Sequence, residues 1–188
     1  MSKYIILMAS GNSRRFGSNK LLTQIDGLPL YRYSLNLLGK LQSPDCPIIV
    51  VSRYEEIRRE AECLGFSSVD CPQSIAGVSH TIKAGIHAIH DLSPEDYLLF
   101  MVADQPYLKL DSVQRLLGEA DCRPKTARLF YQQRPGNPVL FSAELVPELL
   151  ELTGDQGGGA VVKKHSCVPV YVQDEKELMD IDSVLDIA

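Results

Sequence analysis

Apolar residues follow two alternating patterns along the chain. Short runs rich in β-branched residues occupy positions 4–8, 48–51, 97–102, 129–132 and 168–172, each bounded by turn residues. Runs of that length, apolar throughout, predict strands covered on both faces, as in a parallel sheet. Between them the spacing becomes helical. In 30–41 the residues Leu30, Tyr33, Leu37, Leu38 and Leu41 lie near one face, and in 53–64 a charged segment carries Ile57, Ala61 and Leu64 as a stripe. A third helix is predicted over 81–90 from Ile82, Ile86 and Ile89, and Asp111 is placed to cap a fourth through Leu116 and Leu117. Residues 137–141 read as a further short strand, which Pro138 assigns to an edge or to a strand start.

Strand–helix alternation of this kind specifies an α/β fold, a three-layer sandwich around a mostly parallel sheet. No linker and no repeat interrupts it, so residues 1–188 read as a single domain. A domain of this length buries roughly 70% of its unfolded surface and needs neither metal nor disulfide to fold. The five cysteines, Cys46, Cys63, Cys71, Cys122 and Cys167, form no C-x-x-C pair. That argues against a zinc site, a disulfide framework or a cysteine redox enzyme, and for a reducing cytoplasm. The apolar run near the N-terminus is too short for a signal peptide, and no run reaches the ~18 residues of a membrane span. With 24 acidic against 19 basic residues the net charge is -5, which argues against nucleic acid as a partner. An anionic ligand would therefore have to be held by local charge.

Such a local concentration follows the first predicted strand. Ala9, Ser10 and Gly11 are small enough for the backbone to approach a ligand. Asn12, Ser13 and Gly17 extend the loop, and Arg14, Arg15 and Lys20 place three cations within seven residues. Backbone donors combined with fixed cations at the carboxyl end of a strand suit a triphosphate. A solvated basic turn is the plain alternative. The segment is neither a Walker A loop nor a G-x-G-x-x-G fingerprint. Asp104 ends the apolar run 97–102 shortly before Gln105-Pro106, where it could bind Mg²⁺ or simply cap a turn. Gly77, Ser79 and Thr81 open a helix whose free N–H groups suit an acceptor group on a ligand, or are served by Ser79 as an N-cap. Near the C-terminus Asp182 is open to two readings, metal ligand or N-cap of a short helix over 183–187. The glycines of 154–159 read in their simplest form as a flexible surface turn.

The loop from Met8 to Lys20 resembles the L-A-A-G-x-S-x-R-x-G-x-x-K signature of the molybdenum-cofactor and sugar-nucleotide nucleotidyltransferases. Gly11, Ser13, Arg15, Gly17 and Lys20 fall in register with it. Asp104-Gln105-Pro106 is similar to the Asp-x-Pro of the same family, in the form found in its molybdenum-cofactor cytidylyltransferase branch. Residues 180–186 are similar to its D-I-D-T-P-E-D segment, with Ser183 and Val184 in place of Thr and Pro. Residues 77–85 resemble G-M-S-x-S-L-x-x-G. Residues 134–141 resemble G-H-P-V-L-F with Asn137 in place of His, and 153–162 resemble G-D-x-G-A-R-x-L-L with Gly158 or Gly159 in place of Arg. Ser10 stands where the cytidylyltransferases have Ala and the guanylyltransferases Gly, which leaves the base open.

The resemblance implies a Rossmann-like, Mg²⁺-dependent enzyme that transfers a nucleoside monophosphate from an NTP, with CTP favoured, to a phosphate-bearing acceptor and releases pyrophosphate. Arg15, Lys20 and Asp104 would carry the catalysis, and Asp104 with Asp182 (or Asp180) would hold the metal. Residues 9–14, Gly17, Gly77, Ser79 and Thr81 would bind the nucleotide. Gln105, Gly136, Asn137 and Asp155 would face the acceptor, with Lys163 or Lys164 supplying phosphate contacts in place of the missing Arg. The acceptor it points to is molybdopterin, with a molybdoenzyme or chaperone as protein partner. A sugar or polyol phosphate acceptor, or a nucleotide-binding regulator without turnover, are the competing readings.

Overall fold

The computed structural model describes residues 1–11 and 19–182. Seven strands form one sheet. In chain order they are β1 (Lys3–Met8), β4 (Ile48–Ser52), β5 (Ser67–Asp70), β6 (Tyr97–Val102), β7 (Thr126–Tyr131), β8 (Arg134–Ser142) and β9 (Cys167–Tyr171). A separate two-stranded ribbon is made by β2 (Gln24–Ile25) and β3 (Leu28–Pro29). Its turn residues Asp26 and Gly27 have φ of 50° and 78°, the left-handed pair that a two-residue hairpin requires. The sheet order is β5-β4-β1-β6-β8-β7-β9. Pairs β5–β4, β4–β1, β1–β6 and β7–β9 are parallel, while β8 runs antiparallel to both of its neighbours. The sheet is thus mostly parallel, as the continuous apolar runs require.

The period of two along each strand divides the core. Ile5 and Leu7 of β1, with Leu99 and Met101 of β6, face helices α1 (Leu30–Leu38), α2 (Glu55–Cys63) and α4 (Leu110–Gly118). Ile6, Leu98 and Phe100 face α3 (Val78–His87), α5 (Val146–Glu151) and α6 (Gly159–Val162). The result is a three-layer sandwich whose β1 and β6 are buried from both sides.

Three local expectations are corrected. Pro138 lies in an interior strand, not at an edge. It is tolerated because the β7–β8 register breaks between Arg128 and Phe130 and the pairing with β6 ends at Val139, so the missing N–H faces no ladder bond. Asp111 does not cap α4: Lys109 precedes the helix, and Asp111 sits in its first turn, paired with Arg115 at 3.0 Å. The buried side of α1 is Leu30, Tyr31, Ser34, Leu35 and Leu38, rotated from the predicted stripe, with Tyr33, Leu37 and Leu41 at its margin. No helix among the described residues is long and apolar enough to cross a membrane.

Candidate active site

The parallel strands β1, β4 and β6 end at one side of the sheet, and β8 begins there because it runs the other way. Three chain exits and a chain entry therefore meet at this edge. The root of the first loop is fixed by cross-strand bonds. Ser52 Oγ donates to the Ala9 carbonyl at 2.7 Å, Ser10 Oγ donates to the Val51 carbonyl at 3.2 Å, and the Arg53 N–H donates to Ser10 Oγ at 3.2 Å. Tyr54 adds a bond from its hydroxyl to the Gly11 carbonyl at 3.2 Å. The Ser10 hydroxyl is thus turned into the sheet, and only its carbon skeleton is left for a ligand. Asn12, Ser13, Arg14, Arg15 and Gly17 lie outside the described residues, as does the helix expected over 183–187.

Lys20 re-enters at the start of a short 3-10 turn, capped by Asn19. Its Nζ lies 2.7 Å from Asp104 Oδ2 and 2.9 Å from Asp182 Oδ1. Asp104 follows β6 directly, and the Ile181 N–H donates to its carbonyl at 3.0 Å, which brings the C-terminal acids alongside. Burial by itself would lower the Lys20 pKa, but the charges and hydrogen bonds of Asp104 and Asp182 outweigh it and raise the value. Asp180 is the third acid of the cluster. Part of its side chain reaches solvent, yet loss of water around the carboxyl, reinforced by Asp104, pushes its pKa up to about 6.

Two hollows flank this cluster. The first, about 210 Å³, is lined by Met8, Ser10, Gly11, Lys20, Asp104 and Asp155 among others, with Val78 and Thr81 from α3. Its wall is set by a close backbone approach. Gly77 has φ 137°, a Cβ there would stand 2.1 Å from the Gly154 oxygen, and the Ser79 N–H donates to that same oxygen at 3.1 Å. Gly77, not Ser79, occupies the cap position, and Ser79 and Thr81 are buried. Within the glycine run Gly158 is packed, since a Cβ there would meet the Phe141 ring at 2.8 Å, whereas a Cβ on Gly154 or Gly159 would meet nothing within 4 Å. An arginine at 158 would collide with the core; at 159 it would not.

The second hollow, about 400 Å³, is lined by Gln105, Arg128, Arg134, Gly136, Asn137 and Asp180, with Asp182 shared with the central cluster. Of the four residues expected to face an acceptor, Gln105, Gly136 and Asn137 gather here, whereas Asp155 lies in the first hollow. Lys164 is committed to Glu148 at 3.4 Å and Lys163 is exposed beyond α6; neither lines these hollows. Arg128 and Arg134 were not singled out by sequence. Arg128 sits inside an apolar strand, and its only sequence signal is a charge among the inward-facing residues Ala127 and Leu129.

Asp104 Oδ1 is buried and has no hydrogen-bond partner among the described residues, although Oδ2 is taken by Lys20. A buried carboxylate oxygen left in this state favours a hard cation. No group of three or more His, Cys, Asp or Glu among the described residues could hold a metal. One or two carboxylates completed by substrate phosphates is the donor set that Mg²⁺ accepts, so Asp104 and Asp182 fit it.

A family model described as MobA-like NTP transferase domain matches residues 5–169. The purine catabolism protein PucB of Bacillus subtilis is 27% identical over 198 residues, covering 97% of this chain and 93% of that protein. Among solved structures, the molybdopterin-guanine dinucleotide biosynthesis protein A of Archaeoglobus fulgidus superposes with a TM-score of 0.74 at 15% identity, covering 98% and 94% of the two chains. The Rv0371C complex with manganese from Mycobacterium tuberculosis gives 0.72 at 18% identity, covering 92% and 89%. At these identities the two structures share the fold with this chain.

Proposed function

Because the chain belongs to the MobA-like NTP transferase domain family and is a nucleotidyltransferase, we propose that it transfers a cytidylyl group from CTP to the phosphate of molybdopterin, with Mg²⁺ as cofactor. The single observation that carries the chemistry is the clasp of Lys20 between Asp104 and Asp182 at the carboxyl ends of the strands. The first hollow takes the nucleotide and the second the acceptor. An acceptor phosphate oxygen forms a bond to the α-phosphorus, and the bond from that phosphorus to the β-phosphate oxygen breaks, releasing pyrophosphate. The attacking group is already an anion, so no side chain need act as nucleophile.

Asp104, through its unpartnered Oδ1, and Asp182 would hold Mg²⁺, which supplies charge neutralisation on the phosphates when bound. Lys20 keeps its proton at neutral pH, as its raised pKa requires, and presents a fixed cation to the departing phosphates. Arg15, outside the described residues, is the second cation that the resemblance of the loop sequence assigns to the phosphates. The base preference follows from Ser10. With its hydroxyl engaged by Val51 and Arg53, the residue offers a Cβ to the pocket just as alanine would, narrowing it for a pyrimidine. The manganese in the Mycobacterium tuberculosis relative supports a divalent cation here. The same reading takes the chain as one catalytic unit working in the cytoplasm.

The test is pyrophosphate release with CTP, GTP or UTP, offered molybdopterin, sugar phosphates or polyol phosphates. Lys20→Ala and Asp104→Ala are each expected to lower the rate about a hundredfold, the effect of ~3 kcal/mol of lost transition-state stabilisation. Near-normal rates in both folded variants would refute the mechanism, and turnover with only a sugar or polyol phosphate would replace the acceptor.

A further inference from the structure

Arg128 of β7 is held by neutral partners. Its Nε and Nη2 both donate to the Gly136 carbonyl, at 3.1 and 3.0 Å, and pin the first residues of β8. The neighbouring arginines of the fold have carboxylates: Arg32 has Glu60, Arg58 has Asp70, Arg115 has Asp111, and Arg134 has Glu175. No carboxylate among the described residues pairs with Arg128. It is half-buried, and loss of water lowers its pKa without an anion to offset the effect. A desolvated guanidinium whose partners are neutral is a costly arrangement, and an oxyanion removes the cost by accepting two parallel N–H bonds. The Nη1–Nη2 edge, which does not face Gly136, is the one to supply them beside the 400 Å³ hollow that Arg128 lines.

Gln105, 3% exposed, lines the same hollow, and its Oε1 is buried without a partner among the described residues. An unmet acceptor answers a hydrogen-bond donor of the occupant, not its anionic group.

We infer that Arg128 is the oxyanion-binding residue of the second-substrate pocket, and that the acceptor carries a phosphate or carboxylate there. This rests on the nucleotidyltransferase reading of the site only in calling the occupant an acceptor. Register fixes where this contact lies. Arg128 stands on β7, two strands from β6, which is roughly 10 Å across the sheet. Its guanidinium reaches the Gly136 carbonyl, three residues from Val139 toward the end of the sheet where Asp104 lies, in the hollow it shares with Gln105, Asp180 and Asp182. Its role is to bind an anionic group of the acceptor across that hollow, a specificity role. The acids that share the hollow, Asp180 and Asp182, lie beside Lys20 at the reacting end, and Arg134 is occupied by Glu175.

The probes are inorganic phosphate and acetate, applied to the full chain with a non-hydrolysable CTP analogue and Mg²⁺ filling the nucleotide pocket. Phenylglyoxal modification of the wild type, mapped by peptide mass spectrometry, should show Arg128 protected by phosphate, by acetate or by both. Whichever ion protects identifies the group. In parallel, Arg128→Lys and Arg128→Gln should weaken binding of that ion about tenfold or more, the loss expected for a charge-assisted pair, with binding of the CTP analogue unchanged. Modification of Arg128 at the same rate with and without either ion would overturn the proposal, and this measurement needs no variant to fold. If the ions protect Arg128 but no NTP binds and no pyrophosphate is released, the anion site stands and the transferase reading fails. If NTP binds and neither ion protects, the reverse holds.

Discussion

Asp104 uses its two oxygens differently, and Ser10 uses its hydroxyl and its carbon for different ends. In both residues one atom is committed to the protein and another is left for a ligand. For Ser10 the commitment is testable, because the hydroxyl bridges Val51 and Arg53 and so cannot read a base. Ser10→Ala is expected to leave the ratio of CTP to GTP turnover within about twofold, since only a strand-bracing hydrogen bond worth about 1 kcal/mol is lost. Ser10→Gly also removes the Cβ and should move the ratio toward GTP. Competition assays with both nucleotides decide the matter, and a large shift in the alanine variant would show the hydroxyl to be a reader. Lys20 and Asp104 could be singled out from the chain because Lys20 closes a basic loop that matches a family signature and Asp104 follows an apolar strand, beside that loop. Arg128 could not, because a single charge inside a strand gives no sign of which face it takes or whether an acid meets it.

At the scale of elements, α1 and α2 are joined by more than apolar contact. Tyr31 of α1, 5% exposed, donates its hydroxyl to Glu60 of α2, and Arg32 pairs with the other oxygen of Glu60. Burial, then the hydrogen bond to Glu60 and its charge, pushes the Tyr31 pKa from 10.0 up to about 12. A raised value in the folded state means that the stabilisation is complete below the unfolded pKa and is lost as pH rises through the folded one. Urea unfolding of the wild type should therefore weaken between pH 10 and about 12, and Tyr31→Phe should lose less over that window; parallel pH curves would remove Tyr31 from the account. The elements themselves were readable in proportion to their burial. β1, β4 and β6 each hold a continuous apolar run, and those runs located them. β5 was missed because an edge strand of sequence Ser-Ser-Val-Asp has no apolar run. The β2–β3 ribbon was missed because two residues per strand show no alternation, although Asp26-Gly27 is a hairpin signal. Pro138 misled because the rule that bars proline from central strands assumes an unbroken ladder.

For the molecule as a whole, the net charge of -5 and the three clustered acids raise the question of what holds the site together without a metal. Lys20 answers it: its ammonium already neutralises one charge between Asp104 and Asp182. Chelation with EDTA is accordingly expected to abolish pyrophosphate release while moving the melting temperature by no more than about 2 °C, the shift of a fraction of a kcal/mol in a domain of this size. Restoration of the rate by added Mg²⁺ completes the experiment, and a fall of ten degrees on chelation would make the metal structural. The same clasp joins positions 162 residues apart. Closing so long a loop is late work in any folding reaction, because its entropy must be met before the contact returns anything. A nascent or partly folded chain can hold the loop root and Lys20 yet has no Asp182 beside them. Catalytic competence would then report that the whole chain has come home, and a refolding assay followed by turnover should lag behind one followed by helix content.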